Sequence, residues 1–238
     1  TSSQILAVSS NICAAKIGLG LGEEKLYEAF RRFGFGEKPG IDVPGEASGT
    51  LRPRGRGWVQ VETASAAFGQ GISVTNLQLA MAMSAIANGG ELYEPILVKK
   101  ITTATGELVR EAAPTVRRRA IPEGVARTLR ELLVAVTEGQ GTGLEAAVDG
   151  YRVAGKTATA QKTDPATGRY SMDKFTSSFI GFVPAEKPVV AIAVMMDEPM
   201  VDHAGGNVAG PIFRRVAQMS LKYRGLTPNG KDRADVAV

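Results

Sequence analysis

Three β-type runs crowd into residues 151–197, and their short connections leave few ways to fold: 151–161, 174–183 (KFTSSFIGFV) and 188–197 (PVVAIAVMMD). Only PAEK separates the last two, a length that suits a tight antiparallel turn. The segment PIFRRVAQMSLKY then reads as a closing helix with Pro211 in its first turn. Helices before and after one antiparallel sheet predict a layered α/β domain of the α+β kind, the sheet flanked by helices. With 238 residues, 44% of them hydrophobic, the chain can bury a core as one large domain or two small ones.

Upstream of the strands the apolar spacing is helical. TSSQILAVSSNICAAKIGLGLG sets Ile5, Val8, Ile12 and Ala15 on one face behind a candidate Ser3 cap, with Gly18, Gly20 and Gly22 closing a single helix. EEKLYEAFRRFGFG repeats the scheme with Leu26, Phe30 and Phe33, and Gly34 is its stop. Residues 35–73 hold many Gly and Pro with little periodicity, so loops with short elements are expected. TNLQLAMAMSAIANGG opens with a Thr75–Gln78 capping box and ends at Gly89-Gly90. EPILVKKITTATGELVRE predicts a hairpin turning near Gly106, and PEGVARTLRELLVAVTEG an amphipathic helix on Val125, Leu129, Leu132 and Val136. Residues 224–238 read as a mobile polar tail.

The composition excludes several chemistries. A net charge of +4 from 28 bases and 24 acids is too weak a bias for nucleic acid, and the one basic cluster, RRR at 117–119, reads as a solvated loop. Cys13 is the only cysteine and His203 the only histidine, which argues against a disulfide, a Cys or zinc site and a Ser-His-Asp triad. Acid–base chemistry would fall to lysine or a carboxylate. There is no run of 18 apolar residues and no signal-peptide pattern. The chain starts without an initiator Met and directly in helical pattern, so a fragment or processed product is expected.

The first strand carries the chemistry. In VAGKTATAQK, alternation puts Thr157 and Thr159 on one face and Lys156 and Ala158 on the other. Hydroxyls beside an ammonium can grip a carboxylate, and an edge strand can also pair with an extended peptide. The plainer alternative is a lysine snorkelling at the end of a core strand; Lys162-Thr163 is a second such pair, read as loop. Gln70-Gly71 in FGQGISVT reads as a turn before a capped helix, since no lysine follows in phosphate-loop spacing. Asp197-Glu198 and Asp202 read as solvated, His203 as part of a surface turn, and Cys13 as packed. Trp58 either covers core or lines a groove.

SSN, Ser9 to Asn11, is a Ser-x-Asn triplet that means little alone. Together with VAGKTATAQK, RFGFGEKPGIDVPGEASG, AAFGQGISVTNLQLAMAMSAIANGG, SSFIGFVPAEKP and GPIFRRVA it resembles the penicillin-binding protein family over nearly the whole chain. The phrases look like class B transpeptidases of the septal cell-division type. The resemblance implies a penicillin-binding, serine β-lactamase-like fold, incomplete in this chain, with residues 1–223 as the C-terminal portion of the transpeptidase domain. The three strands would be the latter part of a five-stranded sheet.

It also implies acyl transfer: a serine attacks the D-Ala-D-Ala amide of a peptidoglycan stem peptide, and an amine resolves the acyl-enzyme. By motif, Ser9 relays protons to the leaving nitrogen, Asn11 holds the substrate amide, and Lys156 supplies charge. Thr157 and Thr159 act as hydroxyl ligands, with the Thr159 N–H in the oxyanion hole. No metal or other cofactor is required. Partners would be stem peptides, β-lactams and division-complex proteins, at the outer face of the cytoplasmic membrane through an N-terminal anchor. The nucleophile, in a Ser-x-x-Lys motif, is expected on an upstream segment, for the eight residues before Ser9 hold none. SMDK, Ser171 to Lys174, fits that pattern but lies in the loop DPATGRYSMDKF, and TAQK from Thr159 fits equally emptily. Ala158 stands where the family has glycine; a methyl in a tight position costs ~1–3 kcal/mol. The rival readings are a D,D-carboxypeptidase or β-lactamase, and a silent peptidoglycan-binding or division scaffold.

Overall fold

A computed structural model describes residues 1–41, 43–51, 57–164 and 166–226. Seven α-helices lie among them: α1 (Ser2–Ala7), α2 (Asn11–Leu21), α3 (Glu23–Arg32), α4 (Gln60–Ala67), α5 (Asn76–Ala87), α6 (Glu123–Val134) and α7 (Gly205–Tyr223), with a short 3-10 helix at Leu144–Ala146. The strands are β1 (Glu91–Tyr93), β2 (Lys100–Thr102), β3 (Leu108–Glu111), β4 (Val116–Arg119), β5 (Ala154–Thr163), β6 (Tyr170–Val183) and β7 (Val190–Asp197). No helix among the described residues is long and apolar enough to cross a membrane.

The layering follows from the alternation along β6, the middle strand of an antiparallel β5–β6–β7 sheet. Phe179 and Val183 project to one face, where Ala209, Phe213, Ala217 and Leu221 of α7 cover them; the Phe179 and Phe213 rings meet edge-on at 4.7 Å. Ile180 and Phe182 project to the other, under Met83 and Ala87 of α5 and Leu133 and Val134 of α6. The sheet is thus buried on both faces between helices, as expected for the α+β reading.

The Thr75–Gln78 capping box forms, and Gln78 does more than cap. Its amide Nε2 donates to the carbonyls of Gly34, Glu37 and Ser48 at 3.3, 2.9 and 2.9 Å, pinning the 34–49 loop to α5. The β2–β3 hairpin turns at Gly106, whose φ of 88° suits glycine.

Several expectations change. The first helix is two: α1 starts behind a Thr1 capping box and stops at Val8, and α2 restarts behind a Ser10 cap. Ser9 between them has φ 51°, the left-handed region that side chains disfavour. A helix also forms within 35–73: α4 is built from small residues with no large apolar repeat, and it packs so close to α2 that a Cβ on Gly18 would overlap Ala67. In α6 the buried face is Ala126, Leu133 and Val134, continuing to Val136; Val125 is 45% exposed, because alanine filled the contact that periodicity assigned to valine.

Arg117 to Arg119 are not a solvated loop: β4 pairs with β1, Arg118 forks onto Glu37, and Arg119 bonds Glu91 at 2.7 Å. Burial pushes the Glu37 carboxyl up, but Arg118, Arg31 and Arg117 together hold it below the usual range. The closing helix begins at Gly205, six residues before Pro211, so Pro211 sits inside it. Lys162-Thr163 belongs to β5 rather than a loop, and Lys162 ion-pairs with Asp197 and Glu198 at 3.0 and 2.7 Å, which are therefore not merely solvated. Asp202 accepts from the Ala204 N–H and Asn207 Nδ2 at the head of α7. Ser171 to Lys174 lie on β6 instead of in a loop. Of the segments read as loop or tail, Asp42, residues 52–56, Pro165 and 227–238 lie outside the described residues.

Candidate active site

Where α1 breaks from α2, Ser9 faces β5. Lys156 Nζ donates to Ser9 Oγ at 2.6 Å, joining residues 147 positions apart in the chain. Alternation puts Lys156 and Thr157 on opposite faces, yet the long stem carries Nζ back over the strand edge to the Thr157 carbonyl at 2.8 Å. Nζ also lies 3.5 Å from Thr157 Oγ1. Among the described residues no carboxylate pairs with this ammonium, and burial alone lowers its pKa from 10.5 to about 8. Lysine and serine are therefore held as a hydrogen-bonded pair whose lysine can give up or take back a proton near pH 8.

Around this pair lies a cleft of about 530 Å³, lined by Ser9 and Asn11 on one side and Lys156 to Ala160 on the other. All six predicted site residues line it: Ser9, Asn11, Lys156, Thr157, Ala158 and Thr159. The two threonines differ, however. Thr157 is only 8% exposed and its hydroxyl is bonded to Thr142 Oγ1 at 2.7 Å. Thr159 is exposed, and its Oγ1 accepts the Gly205 N–H at 3.0 Å, which leaves its own O–H to donate into the cleft.

The first residues of α7 press against the strand. A Cβ on Gly205 would come within 3.0 Å of the Ala158 and Ser178 carbonyl oxygens, so only glycine admits this approach. The approach sets the N-terminus of a 19-residue helix, with its partial positive charge, beside Thr159.

A family model described as the penicillin binding protein transpeptidase domain matches residues 1–218. The chain belongs to this family. Stage V sporulation protein D of Bacillus subtilis is 40% identical over 94% of the chain, and peptidoglycan D,D-transpeptidase FtsI of Escherichia coli is 32% identical over 97%. The chain spans only 34% and 37% of those two relatives. Among solved structures, penicillin-binding protein 3 of Mycobacterium tuberculosis complexed with aztreonam superposes with a TM-score of 0.88 at 32% identity, covering all of this chain and 54% of that one. The apo transpeptidase domain of Burkholderia pseudomallei penicillin-binding protein 3 gives 0.83 at 36% identity, covering 95% of this chain and 65% of that one.

In this chain the Ala158 methyl is no packing problem. Ala158 is exposed on the cleft side, so the expected overpacking is absent, and the crowded position is Gly205 opposite its carbonyl. Thr142 went unnoticed in sequence. It lines the cleft, bonds Thr157, and its N–H donates to the Ala7 carbonyl at 3.0 Å, so one residue ties β5 to the end of α1. The glycines around it, in GQGTG, were the available signal. SMDK stays apart: Ser171 Oγ donates to Asp173 Oδ1 at 2.5 Å and accepts from the Lys174 N–H, within a strand that lacks a helical turn. His203 stacks on Phe175 at 4.3 Å, and Trp58 lines a groove instead of covering core.

Proposed function

We propose that this chain supplies the Ser-x-Asn and Lys-Thr half of a peptidoglycan D,D-transpeptidase site, an enzyme of septal wall synthesis inhibited by β-lactams. The observation that carries the reading is the 2.6 Å bond from Lys156 to Ser9 in a cleft edged by β5. A half-neutral lysine near pH 8 can take a proton from Ser9 or return one, and Ser9 can pass it to the leaving nitrogen of the scissile amide. Asn11, across the cleft, holds the substrate amide. The Thr159 hydroxyl and the Lys156 charge bind the terminal carboxylate, with Thr157 as support through Thr142. The Thr159 N–H is one donor of the oxyanion hole.

The attacking serine belongs to a Ser-x-x-Lys motif on a segment upstream of Ser9, and activity is a property of the two together. Names of the relatives support the reaction class: two are a peptidoglycan D,D-transpeptidase FtsI and a probable peptidoglycan D,D-transpeptidase PenA, the latter 37% identical. The proposed setting is the outer face of the cytoplasmic membrane, through an N-terminal anchor and among division proteins.

Incubation with a labelled β-lactam, with and without a polypeptide carrying the Ser-x-x-Lys motif, tests the proposal by intact mass. An adduct on that polypeptide's serine, lost with Lys156→Met, is the expected result. Labelling of Ser171, or no adduct in the reconstituted pair, would refute it. A product assay with donor and acceptor peptides then separates transfer from hydrolysis.

A further inference from the structure

Thr142 stands where three segments of the site meet, and each of its polar groups faces a different one. Its N–H donates to the Ala7 carbonyl at 3.0 Å, taking up one of the carbonyls left over at the end of α1, two residues before Ser9. Its own carbonyl lies against the first turn of α7, where a Cβ on Gly206 would overlap the oxygen. Its hydroxyl meets the Thr157 hydroxyl at 2.7 Å. The loop that carries it has little room to move. Gly141 and Gly143 on either side are buried, and a Cβ on the first would overlap the Val136 carbonyl, on the second crowd the Phe179 ring. Just upstream, the Thr137 hydroxyl donates at 2.7 Å to the carbonyl of Val153, one residue ahead of β5.

Hydroxyl chemistry relates this fixed residue to the cleft. A threonine hydroxyl has one proton to give and lone pairs with which to accept. At Thr159 the direction is set from behind: the Gly205 N–H can only donate, so the Thr159 O–H is left for a ligand. The Thr157 oxygen lies 2.7 Å from Thr142 Oγ1 but 3.5 Å from Lys156 Nζ, at the limit of hydrogen-bond range, so Thr142 is its strong partner. If Thr142 accepts, the Thr157 proton is spent on it. If Thr142 donates, the Thr157 proton is released to the cleft that both residues line. Thr142 is exposed, which leaves its hydroxyl able to turn between the two arrangements. A carboxylate in the cleft selects the second, because it supplies a charged acceptor for the Thr157 proton, and donors in series strengthen one another.

We propose that Thr142 is a positioning residue: when a peptide carboxylate arrives, its hydroxyl donates to Thr157 and makes Thr157 a second hydroxyl donor beside Thr159. The role rests on the reading of the cleft as a peptide carboxylate site. Thr142 does for Thr157 what the Gly205 N–H does for Thr159, except that a hydroxyl can turn round and an N–H cannot.

The test titrates the chain, paired with a polypeptide whose Ser-x-x-Lys serine is changed to alanine to prevent turnover. The probes are N-acetyl-D-Ala-D-Ala and its C-terminal amide, with the Thr159 amide resonance as the readout. The parent should bind the acid more tightly than the amide. Thr142→Val should lower that preference about tenfold, the worth of one hydrogen bond to a charged group, and Thr142→Ser should restore it. Thr157→Val should cost as much, and Thr142→Val in that background nothing further. Thr142→Ala, which sets no methyl against Thr157, gives the same readout if the valine disturbs the Gly205 amide. An unchanged preference in Thr142→Val, a loss that serine does not restore, or a further loss in the double variant would overturn the role of Thr142 alone. Equal binding of acid and amide by the parent would overturn the carboxylate reading and this role with it.

Discussion

Gly205→Ala should be far more damaging than an alanine in a helix has any right to be. Replacing glycine by alanine inside a helix ordinarily gains about 1 kcal/mol, because glycine loses more backbone freedom on folding. At Gly205 the new Cβ would meet the carbonyl oxygens of Ala158 and Ser178 at under 3.0 Å, a separation that real Cβ atoms do not show. Neither oxygen can yield alone, since Ala158 and Ser178 are cross-strand partners in the β5–β6 ladder. The first turn of α7 must move instead, and it takes with it the 3.0 Å bond from the Gly205 N–H to Thr159 Oγ1.

Overpacking of ~1–3 kcal/mol and one lost hydrogen bond of ~1 kcal/mol together predict a loss of about 3 kcal/mol. Gly20→Ala in α2 is the control, for nothing lies within 4 Å of its Cβ position, and it should gain up to about 1 kcal/mol. Urea denaturation of the two variants beside the parent chain measures both. A Gly205→Ala loss under about 0.5 kcal/mol, with the Thr159 amide resonance unmoved, would refute the claim that α7 is seated directly on the strand carbonyls.

Gln78→Leu should cost about 3 kcal/mol in the same assay, because it strips the donor from the carbonyls of Gly34, Glu37 and Ser48 and leaves the Thr75 N–H without its acceptor. Lys156 gives a pH signature. Its folded pKa of about 8 lies below the unfolded 10.5, so the unfolded chain binds more protons between those values and stability rises with pH across that window. Relative to Lys156→Met the parent should gain up to about 3 kcal/mol there, and pH-dependent denaturation curves that run parallel would contradict it. At Ser9, both Gly and Ala remove the hydroxyl, but only Gly relieves the φ of 51°, so Ser9→Gly should be more stable than Ser9→Ala by about 1 kcal/mol on thermal or urea melts.

Much of the architecture was legible because it is local. The β5–β6–β7 order followed from run lengths and one four-residue connection, and the α5 start from the Thr75–Gln78 pair. What periodicity could not show was written in small residues. Alanine, serine and glycine carry almost no apolar signal, so α4, the true face of α6 and the first six residues of α7 were missed. Arginines 117–119 misled for the opposite reason: their charge suggested solvent, while Glu37 and Glu91, distant in sequence, were waiting to pair with two of them.

For the site, the division is sharper. The residue types and motif spacing by themselves named Ser9, Asn11 and the Lys156 to Thr159 strand, because short-range alternation and family phrases are properties of contiguous chain. Only the tertiary structure decided that Ser9 would be forced into a left-handed break, that Lys156 would reach it and lose solvent, and that Thr142 would bond the Thr157 hydroxyl while Thr159, accepting the Gly205 N–H, kept its O–H for the cleft. Those outcomes depend on distances between segments far apart in the chain. They are settled by which surfaces pack together, and no local pattern encodes that.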